Sequence, residues 1–401
     1  MKSNIVKTKL WRTKHLGDVC DVEYGYTDKA ISRGEYRFVR ITDTDENGLL
    51  TVENRMYVNS FDEADKYILT DGDLLMARVG ASAGNVLLFK GDEKSVFASY
   101  LIRLRFKKEI ISKLYWYFAK SNLYWEQVKR LSAGAAQPQF NGGSLKKICI
   151  TYPEDLSEQK RIVKILDEVF GEVAKAKENA EKNLKNSKEL FESYLQSVFE
   201  KPSEDWSVCE LNDHVKFIDY RGRTPKKTSS GIRLITAKNI KMGYLQKEPE
   251  EFIHINDYYS WMTRGIPKKG DVLFTTEAPL ANVAQLDTKD KVAFAQRTII
   301  FQADKKYFDS TFLKYLLLSR PMQERILSKA TGATVQGIKA SLLKKIEIAF
   351  PKSLAEQKAI VKKLDALSAE TKKLEGIYAK KLADLEELKK EVLRSAFAGE
   401  F

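Results

Sequence analysis

The sequence predicts an internally duplicated α+β fold, with two similar mixed domains each followed by one long helix. A repeat carries most of this. Residues 145–167 (LKKICITYPEDLSEQKRIVKILD) and 343–365 (LKKIEIAFPKSLAEQKAIVKKLD) share 15 of 23 positions at a constant shift of 198, without a gap. The same shift carries Gly72-Asp73 onto Gly270-Asp271, Gly134-Ala135 onto Gly332-Ala333, and Leu195, Ser197 and Phe199 onto Leu393, Ser395 and Phe397. With small gaps, Leu16-Gly17-Asp18 aligns with Leu211-Asn212-Asp213. A repeat of about half the chain is far longer than the roughly 20–50-residue period of a solenoid. The other observation is a change of pattern at the same place in each copy, from short β-rich runs to proline-free heptads. Boundaries follow at 1–152 and 203–350 for the mixed domains, and at 153–202 and 351–401 for the helices.

In the mixed domains, the runs 36–41, 86–89 and 298–301 are rich in β-formers and are broken by Gly and Asp turns. Helical patterns follow at 113–131 and 312–329. Pro153 and Pro351 precede the long helices. Asp155 with Glu158, and Ser353 with Glu356, have the spacing of a capping box, in which an N-cap oxygen meets the N3 amide and a Glu reaches back. From Val163, a heptad reading places Leu166, Phe170, Val173, Lys177, Ala180, Leu184, Ser187, Phe191, Tyr194 and Val198 on one seam. In the second copy Leu364, Leu367, Leu374, Tyr378, Leu385, Leu388 and Val392 follow a similar spacing. Such helices favour coiled-coil pairing, and each is ~70 Å long at 1.5 Å per residue. The competing reading is two amphipathic helices lying on their own domains; equal length and duplicated placement favour pairing.

The chain of 401 residues carries a net charge of +13, which suits a polyanionic partner. The stretches 154–200 and 352–401 carry −3 and +2, so about +14 resides on the mixed domains. A phosphate-binding surface is expected there and not along the helices. Three scattered cysteines and three scattered histidines fit a reduced cytosol and make a His-rich metal site implausible. The start MKSNIVKTKLWRTKHLGD has no apolar h-region, and no apolar run reaches the roughly 18–20 residues of a membrane span. A cytoplasmic protein without membrane association is expected.

Catalytic motifs are missing. There is no GxxxxGK[ST] phosphate loop, no GxSxG elbow and no HExxH. The Asn/Asp-Pro-Pro-aromatic tetrapeptide of amino-methyltransferases is absent, for the chain has no Pro-Pro. Asp155, Glu158 and Lys160 imitate a nuclease pattern, but they lie within one helical turn at a helix start, where capping and solvation explain them. No catalytic residue, metal site or cofactor is assigned.

Several stretches then resemble the specificity (S) subunit of type I restriction–modification systems: residues 72–80 (GDLLMARVG), 134–141 (GAAQPQFN), 153–162 (PEDLSEQKRI) and 221–226 (RGRTPK). The likeness covers essentially the whole chain. It implies two target-recognition domains separated by two long helices in an antiparallel coiled coil with pseudo-twofold symmetry. It also implies that the chain reads double-stranded DNA at an asymmetric bipartite site. Two methyltransferase (M) subunits would modify adenine with S-adenosylmethionine, and restriction (R) subunits would cleave with ATP and magnesium, so the cofactors would belong to partners. The second copy departs from the pattern at 275–279 (TTEAP) and 335–339 (VQGIK), so base contacts do not transfer there. Two competing readings are a coiled-coil scaffold or adaptor that never touches DNA, and an enzyme with an unrecognised active site.

Polar and basic residues on Gly-rich loops suit base edges and phosphates. In the first domain these are Tyr26, Thr27, Lys29, Arg40, Thr42, Asp43, Arg78, Ser82, Gln137, Gln139 and Asn141. In the second they are Arg221, Arg223, Thr224, Lys226, Lys238, Asn239, Thr276, Gln296, Arg297 and Gln336.

Overall fold

The computed structural model describes residues 10–51, 53–59, 62–132, 140–222, 224–332 and 336–401. It divides into two compact units, one of 1–181 with 380–401 and one of 182–379. The division falls inside the long helices and not at their starts, because each helix end is buried in a unit's core.

The first half of the chain runs β1 (Trp11–His15), α1 (Leu16–Val19), β2 (Cys20–Tyr24), β3 (Tyr36–Val39), β4 (Tyr57–Val58), β5 (Leu74–Ala77), β6 (Val86–Leu88), β7 (Ser95–Phe97), β8 (Leu101–Phe106), α2 (Ser112–Phe118), α3 (Asn122–Leu131), α4 (Gly142–Lys146), β9 (Cys149–Pro153) and α5 (Leu156–Glu200). The second half runs β10 (Ser207–Glu210), α6 (Leu211–His214), β11 (Val215–Asp219), β12 (Ile232–Ile235), β13 (Ile240–Lys241), β14 (Tyr244–Leu245), β15 (Phe252–Ile253), α7 (Tyr258–Trp261), β16 (Val272–Thr276), β17 (Leu280–Gln285), β18 (Val292–Phe294), β19 (Thr298–Ala303), α8 (Ser310–Leu318), α9 (Arg320–Ser328), α10 (Ala340–Lys344), β20 (Glu347–Phe350) and α11 (Leu354–Ala398).

The sheets repeat strand for strand. The first unit has a four-stranded sheet β2-β8-β5-β6, a three-stranded sheet β4-β3-β7 and the pair β1-β9. The second has β11-β19-β16-β17, β15-β12-β18 and β10-β20, with the small hairpin β13-β14 added. In both three-stranded sheets one pair is parallel, β3 with β7 and β12 with β18. Each central strand is buried on both faces. Leu74 and Met76 of β5 face the helices, while Leu75 and Ala77 face the second core. Val272 and Phe274 of β16 alternate with Leu273 in the same way. A continuous apolar run is what a strand covered on both faces requires.

The repeated motifs prove to be fasteners. Gly72 and Gly270 adopt φ of 92° and 95°, a left-handed conformation that glycine tolerates. The aspartate after each closes the turn, Asp73 accepting from Thr70 N at 3.0 Å and Asp271 from Lys268 N at 2.8 Å. Gln159 and Gln357 are fully buried. Gln159 Oε1 accepts from Ile111 N at 2.9 Å, and its Nε2 donates to Glu109 O and Pro153 O at 2.9 and 2.8 Å. Gln357 repeats this with Asp309 N, Tyr307 O and Pro351 O at 2.9, 2.8 and 2.9 Å. Two turns on, Tyr117 donates to Asp167 and Tyr315 to Asp365, both at 2.6 Å. These bonds clamp each long helix to the domain that precedes it.

The helices pair antiparallel. In the first unit Ile162, Val163 and Leu166 of α5 share a core with Leu393, Ala396 and Phe397 of α11. In the second, Leu195 and Phe199 at the end of α5 pack with Leu364 near the start of α11. All eleven heptad positions from Val163 to Val198 are buried or half-buried. Buried Ser187 and Thr371 return their hydroxyls to the carbonyls of Asn183 and Leu367 at 2.8 and 3.0 Å, which satisfies them within their own helix. Leu388 departs from expectation, being 45% exposed. Leu382, Leu385, Lys389 and Val392 cover that stretch instead, because a 3.6-residue turn drifts out of phase with a strict heptad. At the helix starts, Asp155 Oδ1 accepts from Ser157 N at 2.8 Å, while Glu158 and Glu356 bond Arg161 and Trp206.

Candidate nucleic-acid interface

In the first unit, three strand ends bring an arginine and two tyrosines together. Arg78 follows β5, Tyr100 precedes β8, and Arg78 N donates to Tyr100 O at 3.0 Å. Tyr24 ends β2, the other neighbour of β8. The Arg78 guanidinium carbon lies 5.4 Å from the Tyr24 ring centre and 5.7 Å from that of Tyr100, within cation–π range. Both rings are about half exposed. Arg78 Nε has no hydrogen-bond partner among the described residues, and the two aromatic faces position the charge. The Tyr24 hydroxyl accepts from Gly142 N at 3.0 Å, which ties the start of α4 to the same edge.

The second unit builds the equivalent edge from different side chains. Thr276 N donates to Arg297 O at 2.9 Å, the counterpart of the Arg78–Tyr100 bond. Thr276 therefore takes the place of Arg78, Arg297 that of Tyr100, and Asp219, at the end of β11, that of Tyr24. Arg297 Nε lies 3.0 Å from Glu277 Oε1. Arg221 turns its fork onto Asp219, at 2.9 Å to Oδ1 and 2.7 Å to Oδ2. Burial pushes the Asp219 carboxyl up, but the bonds and charge of Arg221, with Arg264 nearby, outweigh it and hold the group below its ordinary value. Arg221, Glu277, Gln296, Arg297 and Lys339 line a cleft of ≈ 380 Å³.

Of the residues expected to meet DNA, the structure gathers Arg78 with Asn141 near one edge, and Arg221, Thr276, Gln296 and Arg297 at the other. Asn141 caps α4, accepting from Ser144 N at 2.9 Å. Thr276 is buried, so it shapes the cleft wall. Thr27, Lys29, Thr224, Lys226, Lys238 and Gln336 are exposed, and Ser82 is half-buried in the turn at Gly80–Ser82. Tyr26 is half-buried with its ring 5.7 Å from that of Tyr67. Gln137, Gln139 and Arg223 lie outside the described residues.

Two assignments are corrected. Asp43 and Asn239 are buried and occupy equivalent turns. Asp43 Oδ2 accepts from Arg40 N, and Asn239 Oδ1 from Thr236 N, each at 3.0 Å. The Asn239 amide also donates to Pro249 O at 3.0 Å. Their buried polar atoms are engaged inside these turns, so the structure gives both a turn-closing role. Arg40 is drawn into the same turn by Asp43 at 2.9 Å and Asn54 O at 3.1 Å, and Thr42 donates to Asp43 at 3.2 Å. Tyr24, Tyr100, Glu277 and Lys339 also lie at these edges and were not among the expected residues.

Among the described residues, no group of three or more His, Cys, Asp or Glu could hold a metal ion, and no helix is long and apolar enough to cross a membrane. Two similar scaffolds, each with different side chains at its equivalent edge, define a two-module recognition protein. The family model described as the type I restriction modification DNA specificity domain matches twice, at residues 8–184 and 203–381. The chain belongs to that family, whose role is DNA recognition and whose specificity subunits are non-catalytic. A curated relative, the type I restriction enzyme EcoKI specificity subunit of Escherichia coli (strain K12), is 26% identical over 348 residues, covering 80% of this chain and 72% of that protein. In fold, the chain is similar to one solved in a study of complex assembly and conformational transition of the type I R-M system (TM-score 0.75, 18% identity, 96% and 97% of the two chains). It is also similar to the HsdS subunit from Thermoanaerobacter tengcongensis (TM-score 0.58, 18% identity, 98% and 97%).

Proposed function

We propose that the chain reads an asymmetric bipartite site on duplex DNA, one half per unit, and docks methyltransferase and restriction subunits in a cytoplasmic type I complex. The observation that carries this is the pair of edges. Equivalent backbone positions, joined by the equivalent cross-strand bond, hold Tyr24, Arg78 and Tyr100 in the first unit and Asp219, buried Thr276 and Arg297 in the second. Similar scaffolds with unlike surfaces suit two unlike half-sites. The basic excess on the mixed domains supplies attraction for phosphate that does not depend on sequence. In this reading two M subunits bind, and S-adenosylmethionine, ATP and magnesium belong to the partners.

The test is co-expression with methyltransferase subunits in a methylation-deficient host, followed by sequencing of methylated adenines. One asymmetric bipartite motif is expected. Exchanging 10–152 for the same part of another family member should change one half-site alone. A change in both halves, methyl transfer by the purified chain, or DNA binding that salt leaves untouched would overturn the reading.

Arg78→Ala should weaken duplex binding about tenfold to a hundredfold, because a good Arg contact to a base is worth ~1–3 kcal/mol. If the contact is to phosphate, the salt slope should also fall by about 0.9. Thermal stability should change little, since among the described residues Arg78 Nε has no hydrogen bond to lose. Fluorescence anisotropy across a salt series reads both effects.

A further inference from the structure

We propose that Glu277 and Arg297 together read one G·C base pair in the half-site of the second unit; this rests on the DNA-reading function proposed above. The pair is held by backbone. Thr276 N donates to Arg297 O, Ile338 N donates to Thr276 O at 3.0 Å, and Glu277 forms an antiparallel bridge with Gly337. Arg297 has φ of 71°, a left-handed conformation that is costly for a residue with a side chain and is kept only where the surroundings impose it. Fold stability does not explain the ion pair. Its side chains are 45% and 44% exposed, and pairs of that kind contribute little.

The chemistry matches one base pair. In the major groove, G·C presents two acceptors, N7 and O6 of guanine, and then a donor, the cytosine N4 amine. With Nε the guanidinium atom nearest Glu277, Arg297 keeps two Nη donors for N7 and O6. The neighbouring carboxylate then lies beside the guanidinium as the acceptor for N4. Donor, donor and acceptor meet acceptor, acceptor and donor. An A·T pair presents an acceptor followed by the adenine N6 donor, which would face an arginine donor. A phosphate is a poor alternative ligand, because the Glu277 carboxylate would repel it. The neighbouring carboxylate, Asp219, is already neutralised by the Arg221 fork, so it does not compete for Arg297.

The experiment uses the full chain with methyltransferase subunits. It compares the wild type with Glu277→Ala, Arg297→Lys and Arg297→Ala by methylation sequencing and by binding to duplexes carrying single base-pair changes. The wild type is expected to require a G·C pair in one half-site, and its replacement by A·T should lower affinity about tenfold to a hundredfold. Glu277→Ala and Arg297→Lys should relax that one position and leave the other half-site unchanged. Lysine keeps the charge but not the two-pronged geometry, so its failure to restore selectivity separates base reading from charge. Thermal melting of each variant guards against misfolding. An unchanged motif in Glu277→Ala, or a uniform rise in affinity for every duplex, would overturn the proposal and leave a surface ion pair. A wild-type complex that yields no bipartite motif would overturn the function itself.

Discussion

Replacing Gln357 by leucine is expected to destabilise the second unit by ~2–4 kcal/mol. Leucine has nearly the same volume, so packing is kept while three bonds vanish. The amide of Asp309 loses its acceptor, and the carbonyls of Tyr307 and Pro351 lose a donor, all where Gln357 is fully buried. A buried polar group left unsatisfied costs ~1–3 kcal/mol, and the three groups cluster closely enough to share some relaxation. The loss also frees the start of α11 from the loop before α8. Gln159→Leu should do the same to the first unit, through Ile111 N, Glu109 O and Pro153 O. Hydrogen exchange under mild urea separates the two. Each variant should lose protection in its own unit and keep it in the other. A midpoint shift worth less than ~0.5 kcal/mol, or an equal loss in both units, would show that the glutamines do not fasten the helices.

What the sequence made legible was local and periodic. The seam of α5 follows from heptad spacing alone, and every position read from Val163 to Val198 is withdrawn from solvent. The duplication was equally plain, but its cause was not. Gln159 resembles any polar residue at a helix start until the chain brings Ile111 and Glu109 to it across about 50 residues. At the recognition edges the same limit applies. A polar residue in a Gly-rich loop has one pattern whether it faces solvent or its own backbone, so Asp43 and Asn239 resembled base readers and are turn locks. Conversely, Tyr24, Arg78 and Tyr100 lie far apart in the sequence and meet only through the order β2-β8-β5. Cross-strand neighbours carry no sequence signal until the register is known.

Replacing Arg103 by methionine is expected to cost the first unit ~2–4 kcal/mol, because two backbone carbonyls lose a buried donor, each such loss costing ~1–3 kcal/mol. Arg103 is 1% exposed in the middle of β8. Its Nη2 donates to Glu23 at 2.5 Å and Lys66 O at 2.6 Å, its Nη1 to Ile68 O at 2.7 Å, and its guanidinium lies 4.9 Å from the Phe97 ring centre. Methionine fills the space but leaves two carbonyls and part of a carboxylate unpaired. Glu23 adds a pH signature. Burial pushes its carboxyl up, yet the bonds and charges of Arg103 and Arg105 prevail and hold it below its ordinary value of 4.5. A carboxyl depressed in the folded state stabilises the fold above its unfolded pKa, and the contribution is lost as pH falls through the folded one. Urea midpoints of the wild type should therefore drop as pH falls below about 4.5, and Glu23→Gln should remove that part of the slope. The same contact reaches the recognition edge. Glu23 pairs with Arg103 in the register of β2 and β8, and the next residue along β2 is Tyr24, one of the two rings over which Arg78 sits. A loosened β2 should thus reduce DNA affinity toward that of Arg78→Ala even at temperatures where Arg103→Met stays folded. Affinity equal to the wild type in the folded variant would show that the edge is positioned without Arg103.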